Sequence, residues 1–127
     1  AVRNVSVTDN GKAGVDITTG YGVTFDDLTA YGNDVGVLVA ASANDLLLTR
    51  SRIAANRTAG VHIVSAGSVA TITDTELDHN GAGVLVSDGN AVIGPGNMIT
   101  QNGTGIAVLD SSPGVVIRRN RVVATAA

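Results

Sequence analysis

Asp26 and Asp27 are followed by Arg50 and then Asp74, so carboxylate, guanidinium and carboxylate recur at steps of 23 and 24 residues counted from Asp27. Brought together, Asp27 and Asp74 could act as general acid and base, or as calcium ligands, with Arg50 between them as electrophile. Such a set would suit acid–base processing of a polysaccharide. The same spacing also makes a charge ladder, in which each opposite-charge pair contributes about 0.2–1 kcal/mol. An Arg beside a carboxylate lowers its pKa, which is wrong for a general acid near neutrality. The ladder reading therefore ranks above catalysis, and Asp26, Asp27, Arg50 and Asp74 stand as low-ranking catalytic candidates. Arg52 and Glu76 are expected to pair in the column two residues on.

Other chemical resources are few. His62 and His79 are the two imidazoles. They are expected on different faces with no third ligand, so they read as surface histidines and no metal site is expected. No Cys is present, which removes disulfides, thiolate ligands and a thiol nucleophile. Tyr21, Phe25 and Tyr31 are the only aromatics. Tyr21 and Tyr31 could form a small platform for sugar rings, against the plainer reading of edge packing.

The elements that must position these residues are announced by a repeat. Asn is followed three or four residues later by Gly, then Val or Ile, any residue, and Val or Ile again. The copies are Asn10 with Gly14-Val15-Asp16-Ile17, Asn33 with Gly36-Val37-Leu38-Val39, Asn56 with Gly60-Val61-His62-Ile63, Asn80 with Gly83-Val84-Leu85-Val86, and Asn102 with Gly105-Ile106-Ala107-Val108. The Asn residues are spaced 23, 23, 24 and 22 apart. A fixed period of this size marks a stacked, quasi-one-dimensional fold.

Within each copy apolar residues alternate with period two, the signature of strands. In the fourth, Ala70, Ile72, Leu77, Val84 and Val86 fall inward, and Asp74-Thr75, Asn80-Gly81 and Asp88-Gly89-Asn90 mark turns. Three short strands and three turns per repeat give one coil of a parallel β-helix, about five coils of 22–24 residues. Stacked coils turn each position into a column. The expected inward columns are Val15, Val37, Val61, Val84 and Ile106; then Val7, Ala30, Ile53, Leu77, Ile99 and Val122; then Phe25, Leu48, Ile72 and Ile117, with Gly94 as the exception. Asn10, Asn33, Asn56, Asn80 and Asn102 are read as a structural amide ladder, with the Asn able to take the left-handed backbone of a corner. Gly14, Gly36, Gly60, Gly83 and Gly105 are read as turn glycines, supplying positive φ or close backbone approach.

Outside the coils, Leu38, Val64, Leu85 and Leu109 would form an apolar strip, a candidate contact face for a partner or for self-association. The open ends of the stack are a second route to self-association. The net charge of −3, from 8 basic and 11 acidic residues, argues against phosphate-neutralising nucleic-acid binding. No apolar run approaches the ~20 residues of a membrane span. The repeat fills residues 1–127 as one domain, and the chain opens in mid-pattern, which predicts a module or piece of a longer protein.

On these repeats the chain resembles the right-handed parallel β-helix repeats of the pectate-lyase-like superfamily, nearest to the short Asn…Gly-Ile/Val pattern of NosD-like and mannuronan epimerase-like modules. The resemblance implies an all-β, right-handed single-stranded parallel β-helix in a secreted, periplasmic or cell-surface setting. It does not imply an activity. Of the polygalacturonase-like constellation only Asp26-Asp27 is present, and His62 lies in Val-His-Ile. Tyr31-Gly32-Asn33-Asp34 begins like the epimerase motif but continues without Pro or His. The expected function is a non-catalytic scaffold or binding module that meets a polysaccharide or protein partner and uses no cofactor. The alternative is a polysaccharide lyase or C5-epimerase-like fragment acting on an anionic polysaccharide, the one reading under which calcium would enter. A fibre unit assembling head to tail is a third.

Overall fold

The computed structural model describes the backbone of residues 1–109 and 114–123 and, among these, the side chains outside 19–20 and 41–44. The described residues form thirteen strands: β1 (Val2–Thr8), β2 (Ala13–Tyr21), β3 (Thr24–Tyr31), β4 (Val35–Asn44), β5 (Leu46–Thr49), β6 (Arg52–Ala54), β7 (Ala59–Thr73), β8 (Glu76–Asp78), β9 (Ala82–Ile93), β10 (Met98–Thr100), β11 (Thr104–Val108), β12 (Val116–Ile117) and β13 (Arg121–Val123). Every pairing is parallel and joins a strand to its equivalent one coil away. The described residues contain no helix. The architecture is a right-handed parallel β-helix of about five turns.

Three strand columns wrap the core. One is β2, β4, β7, β9 and β11, and a second runs from β1 and β3 through β6, β8 and β10 to β13. The remaining column takes β5, the later halves of β7 and β9, and β12. The strands are less separate than the turn residues suggest, because β7 and β9 carry one coil's last strand directly into the next coil's first.

The inward columns hold in register: Val15, Val37, Val61, Val84 and Ile106 face one another through successive coils, as do Val7, Ala30, Ile53, Leu77, Ile99 and Val122. Val37, Val61, Val84, Ile53, Leu77 and Ile99 are fully buried. Filling this interior with β-branched and Leu side chains removes apolar area from water, the main favourable contribution to folding.

One inward column differs from expectation. Ile93, not Gly94, stands opposite Ile72 and next to Ile117, and it is fully buried. Gly94 lies just beyond, at a φ of 115°. A Cβ there would meet the Arg118 carbonyl oxygen at 1.7 Å, so the corner closes only over glycine.

The corners are made by residues of mixed type in the left-handed region. Asp27, Arg50, Asp74, Gly96 and Arg119 form one such column, and Asp9, Gly32, Ala55, His79 and Gln101 form another. The second lies immediately before the ladder residues, so the left-handed corner residue is the one preceding each Asn and not the Asn itself. Gly14, Gly36, Gly60, Gly83 and Gly105 are likewise not turn residues. Each lies inside a strand, and none has positive φ. Close approach is what requires them: a Cβ on Gly60 would stand 2.7 Å from the Gly83 carbonyl oxygen and 3.0 Å from Asn80 Nδ2.

Those Asn side chains form a continuous chain of bonds. Nδ2 donates to the Oδ1 one coil on, from Asn10 to Asn33 (2.9 Å), Asn33 to Asn56 (3.2 Å), Asn56 to Asn80 (2.9 Å) and Asn80 to Asn102 (3.1 Å). Each acceptor Oδ1 also takes the backbone N–H of the preceding Asn. A second, mixed row runs beside the other corner. Leu28 N–H donates to Ser51 Oγ, Ser51 N–H to Thr75 Oγ1 (3.4 Å), Thr75 N–H to Asn97 Oδ1, and Asn97 Nδ2 to Asn120 Oδ1. The two rows satisfy corner amides that the strand ladders cannot reach.

Candidate functional site

Asp27, Arg50 and Asp74 do share a column of left-handed corners, but the hydrogen bonds of Arg50 go elsewhere. Arg50 turns to Asp26, donating Nε to Oδ1 at 2.9 Å and Nη2 to Oδ2, while Arg3 approaches the same carboxylate at 3.9 Å. The Arg50 hydrogen bond holds the Asp26 carboxyl below the usual carboxylate range, and Asp26 in turn raises Arg50. Asp26 is thus a fixed anion clasping two coils, unsuited to proton donation near neutrality. Asp27 and Asp74 are exposed. Among the described residues no three His, Asp or Glu side chains converge as a metal site would require.

Arg52 also chooses another partner than expected. It stands in register with Glu76, yet it donates Nε and Nη2 to Asp78, each at 3.3 Å. Arg52 is in β6, and Asp78 is in β8 of the next coil, two residues past Glu76 on the same outward side. Asp78 is only 4% exposed. Its Oδ2 also takes His79 Nδ1 at 2.6 Å, His79 being turned by its left-handed backbone. With a carboxylate as acceptor, Nδ1 carries the proton and Nε2 is the nitrogen left to solvent. The Asp78 bond raises the Arg52 pKa further.

Tyr31, at the end of β3, completes the cluster. Together with Arg52, Ala54, Ala55, Asp78 and His79 it lines a surface depression of about 260 Å³. Tyr31, the Arg52 guanidinium and the His79 imidazole line it together with the two Ala residues. Arg52, Tyr31 and His79 are exposed while their countercharge lies beneath. A ligand entering meets the Arg52 guanidinium, His79 Nε2 and the Tyr31 ring, with the Asp78 carboxylate nearly buried behind them. This cluster escaped sequence reasoning because Asp78 and His79 are adjacent in a turn-like stretch. The available signal was that Tyr31, Ala54 and Asp78 fall in one outward column.

The other candidate surfaces are less coherent. Tyr21 (81% exposed) is in β2 and Tyr31 in β3, in different strand columns, so the two rings do not make one platform. Leu38 and Leu85 are half-buried and flank His62 in the same row. His62 Nε2 shares a 2.7 Å hydrogen bond with Ser87 Oγ, and burial pushes its pKa down. A register shift sets Val64 opposite Asp88. Leu109 is exposed, its N–H bonded to the Val86 carbonyl. The expected apolar strip is therefore interrupted by an imidazole and a carboxylate.

Residues 1–122 match the family model described as right handed beta helix region. No curated protein and no solved structure matches the chain.

Proposed function

The chain belongs to the right-handed beta helix family, and from that premise we propose that it is a binding module whose rigid coils present the Tyr31–Arg52–His79 depression to an acidic polysaccharide. The observation that carries this reading is the nearly buried Asp78 behind the exposed Arg52 guanidinium and His79 imidazole. It fixes Arg52 and His79 in place while leaving their remaining N–H and N groups outward. A carboxylate-bearing sugar would stack one face on Tyr31 and direct its anion to Arg52, a charge-assisted contact. Coils repeat at the ~4.8 Å strand spacing, so neighbouring sugar units could lie across neighbouring coils. Such a partner suits a secreted, periplasmic or cell-surface protein.

Titration calorimetry with acidic and neutral oligosaccharides of equal length tests the proposal. Acidic oligomers are expected to bind and neutral ones not, with Arg52→Ala weakening binding about tenfold or more, as loss of a ~1.5–3 kcal/mol charged hydrogen bond requires. Equal binding of both sugar types, or an Arg52→Ala variant with unchanged affinity, refutes it.

One observation favours a second reading. His79 Nε2, its ring held by the Nδ1 bond to Asp78, lines the same depression as Arg52 and Tyr31, as a proton-abstracting lyase or epimerase would need. A lyase releases an unsaturated sugar. An absorbance rise in the ultraviolet on acidic oligomers, lost in His79→Gln, would replace the binding module with the enzyme.

A further inference from the structure

Three ladder residues are followed by glycine: Asn10-Gly11, Asn80-Gly81 and Asn102-Gly103. An Asn-Gly pair is chemically labile because the glycine amide nitrogen, unhindered by a Cβ, can attack the Asn side-chain carbonyl. The fold treats the three pairs very differently. Gly81 N–H donates to the Asn56 carbonyl (3.1 Å) and Gly103 N–H to the Asn80 carbonyl (3.0 Å), so both would-be nucleophiles are held against the preceding coil. Their leaving groups are held as well, Asn80 Nδ2 by the Ile53 carbonyl and Asn102 Oδ1, and Asn102 Nδ2 by the Leu77 carbonyl. Asn80 and Asn102 are 3% and 4% exposed.

Asn10 lacks burial and a held nucleophile, although its Nδ2 still donates to Asn33 Oδ1. It is exposed, and among the described residues no partner is found for the Gly11 N–H. The space around Gly11 is open, with nothing within 4 Å of a Cβ position. Asn10 and Gly11 also border a depression of about 340 Å³, shared with Gly32, Asn33, Asp34 and Arg57, which gives water access to the pair.

We propose that Asn10-Gly11 is a site of spontaneous backbone modification, and that the same reaction is blocked at the two chemically identical pairs further along the ladder. Gly11 nitrogen bonds to Asn10 Cγ, its proton passes to solvent base, and the side-chain nitrogen leaves as ammonia. Water then opens the resulting cyclic imide at one of its two carbonyls. The product is aspartate, or isoaspartate with the chain rerouted through the former side chain. Either product removes the Nδ2 donor to Asn33 Oδ1: aspartate sets a carboxylate oxygen in its place, and isoaspartate puts the Gly11 peptide nitrogen there with a new carboxylate on Cα. The inference is independent of any ligand.

The test is incubation of the folded chain at mildly alkaline pH, followed by peptide mapping with isoaspartate detection. The Asn10 peptide is expected to convert, and Asn80 and Asn102 to lag by at least about tenfold, since a buried pair reacts only from an opened state and each ~1.4 kcal/mol of opening is a factor of ten. In concentrated urea the three should convert at comparable rates. Gly11→Ala, which has room for its methyl group, should slow conversion in the folded chain. An intact Asn10, or Asn80 and Asn102 keeping pace with it, overturns the proposal. So does the same ranking in urea, which would assign the difference to local sequence and not to the fold.

Discussion

Asn56 makes every bond its side chain can offer in this geometry. Oδ1 accepts the Asn33 N–H (3.0 Å) and Asn33 Nδ2 (3.2 Å), while Nδ2 donates to the Ala30 carbonyl (3.2 Å) and Asn80 Oδ1 (2.9 Å). Truncating it strands buried donors and acceptors on two neighbouring coils. Asn56→Ala is therefore expected to cost about 2–4 kcal/mol, since each buried polar group left unpaired costs ~1–3 kcal/mol; the shift in the urea midpoint measures it. The equivalent change at exposed Asn10 should cost much less. This row was legible in the sequence because one residue type recurs at one period. The row through Leu28, Ser51, Thr75, Asn97 and Asn120 was not, because hydroxyl, amide and apolar side chains share the position. The corner columns were illegible for the same reason. Ala55, His79 and Arg50 have no side-chain property in common, only a left-handed backbone.

Between elements, among the described residues, three Arg side chains hydrogen-bond one coil to another: Arg50 to Asp26, Arg57 to Asp34, and Arg52 to Asp78. Asp34 accepts from both Thr58 and Arg57, and these bonds hold its carboxyl below the usual range, as the Arg50 bond does for Asp26. A carboxyl with a lower pKa folded than unfolded adds stability above its unfolded value of about 3.9, and that stability is lost as pH falls through the folded value. The Asp26 and Asp34 share of the urea midpoint should thus be flat near neutrality and fall below about pH 4. Asp26→Asn should reduce the acid-dependent part of that fall, and a variant with an unchanged pH profile would remove the Asp26 clasp from the account. Strand periodicity revealed which residues point outward, but not which of two nearby acids an Arg would reach. Arg52 passes over its register neighbour Glu76 because Asp78, packed beside His79, offers both carboxylate oxygens.

For the whole molecule, each coil contacts mainly its neighbours, so stability is a sum of coil and interface contributions. The middle coils hold the fully buried Ile53, Val61, Ile72 and Val84, whereas β13 is exposed throughout and β1 nearly so. Amide hydrogen exchange should be slowest at those central residues and fastest in Val2–Thr8 and Arg121–Val123. Uniform protection along the axis would mean that the coils unfold as one unit. The solenoid itself was readable from the repeat alone. The depression was not, because it depends on side chains from three coils converging over a turn.

Between side chains both rows donate in one sense, from an earlier coil to a later one, while the second Nδ2 hydrogen reaches back to a main-chain carbonyl. Their amide dipoles therefore add head to tail, with oxygen toward the first coil and N–H toward the last, and each bond polarises the next. A helix acquires such an axial field from its peptide groups. Here, with no helix among the described residues, the stacked asparagines contribute an axial component of their own.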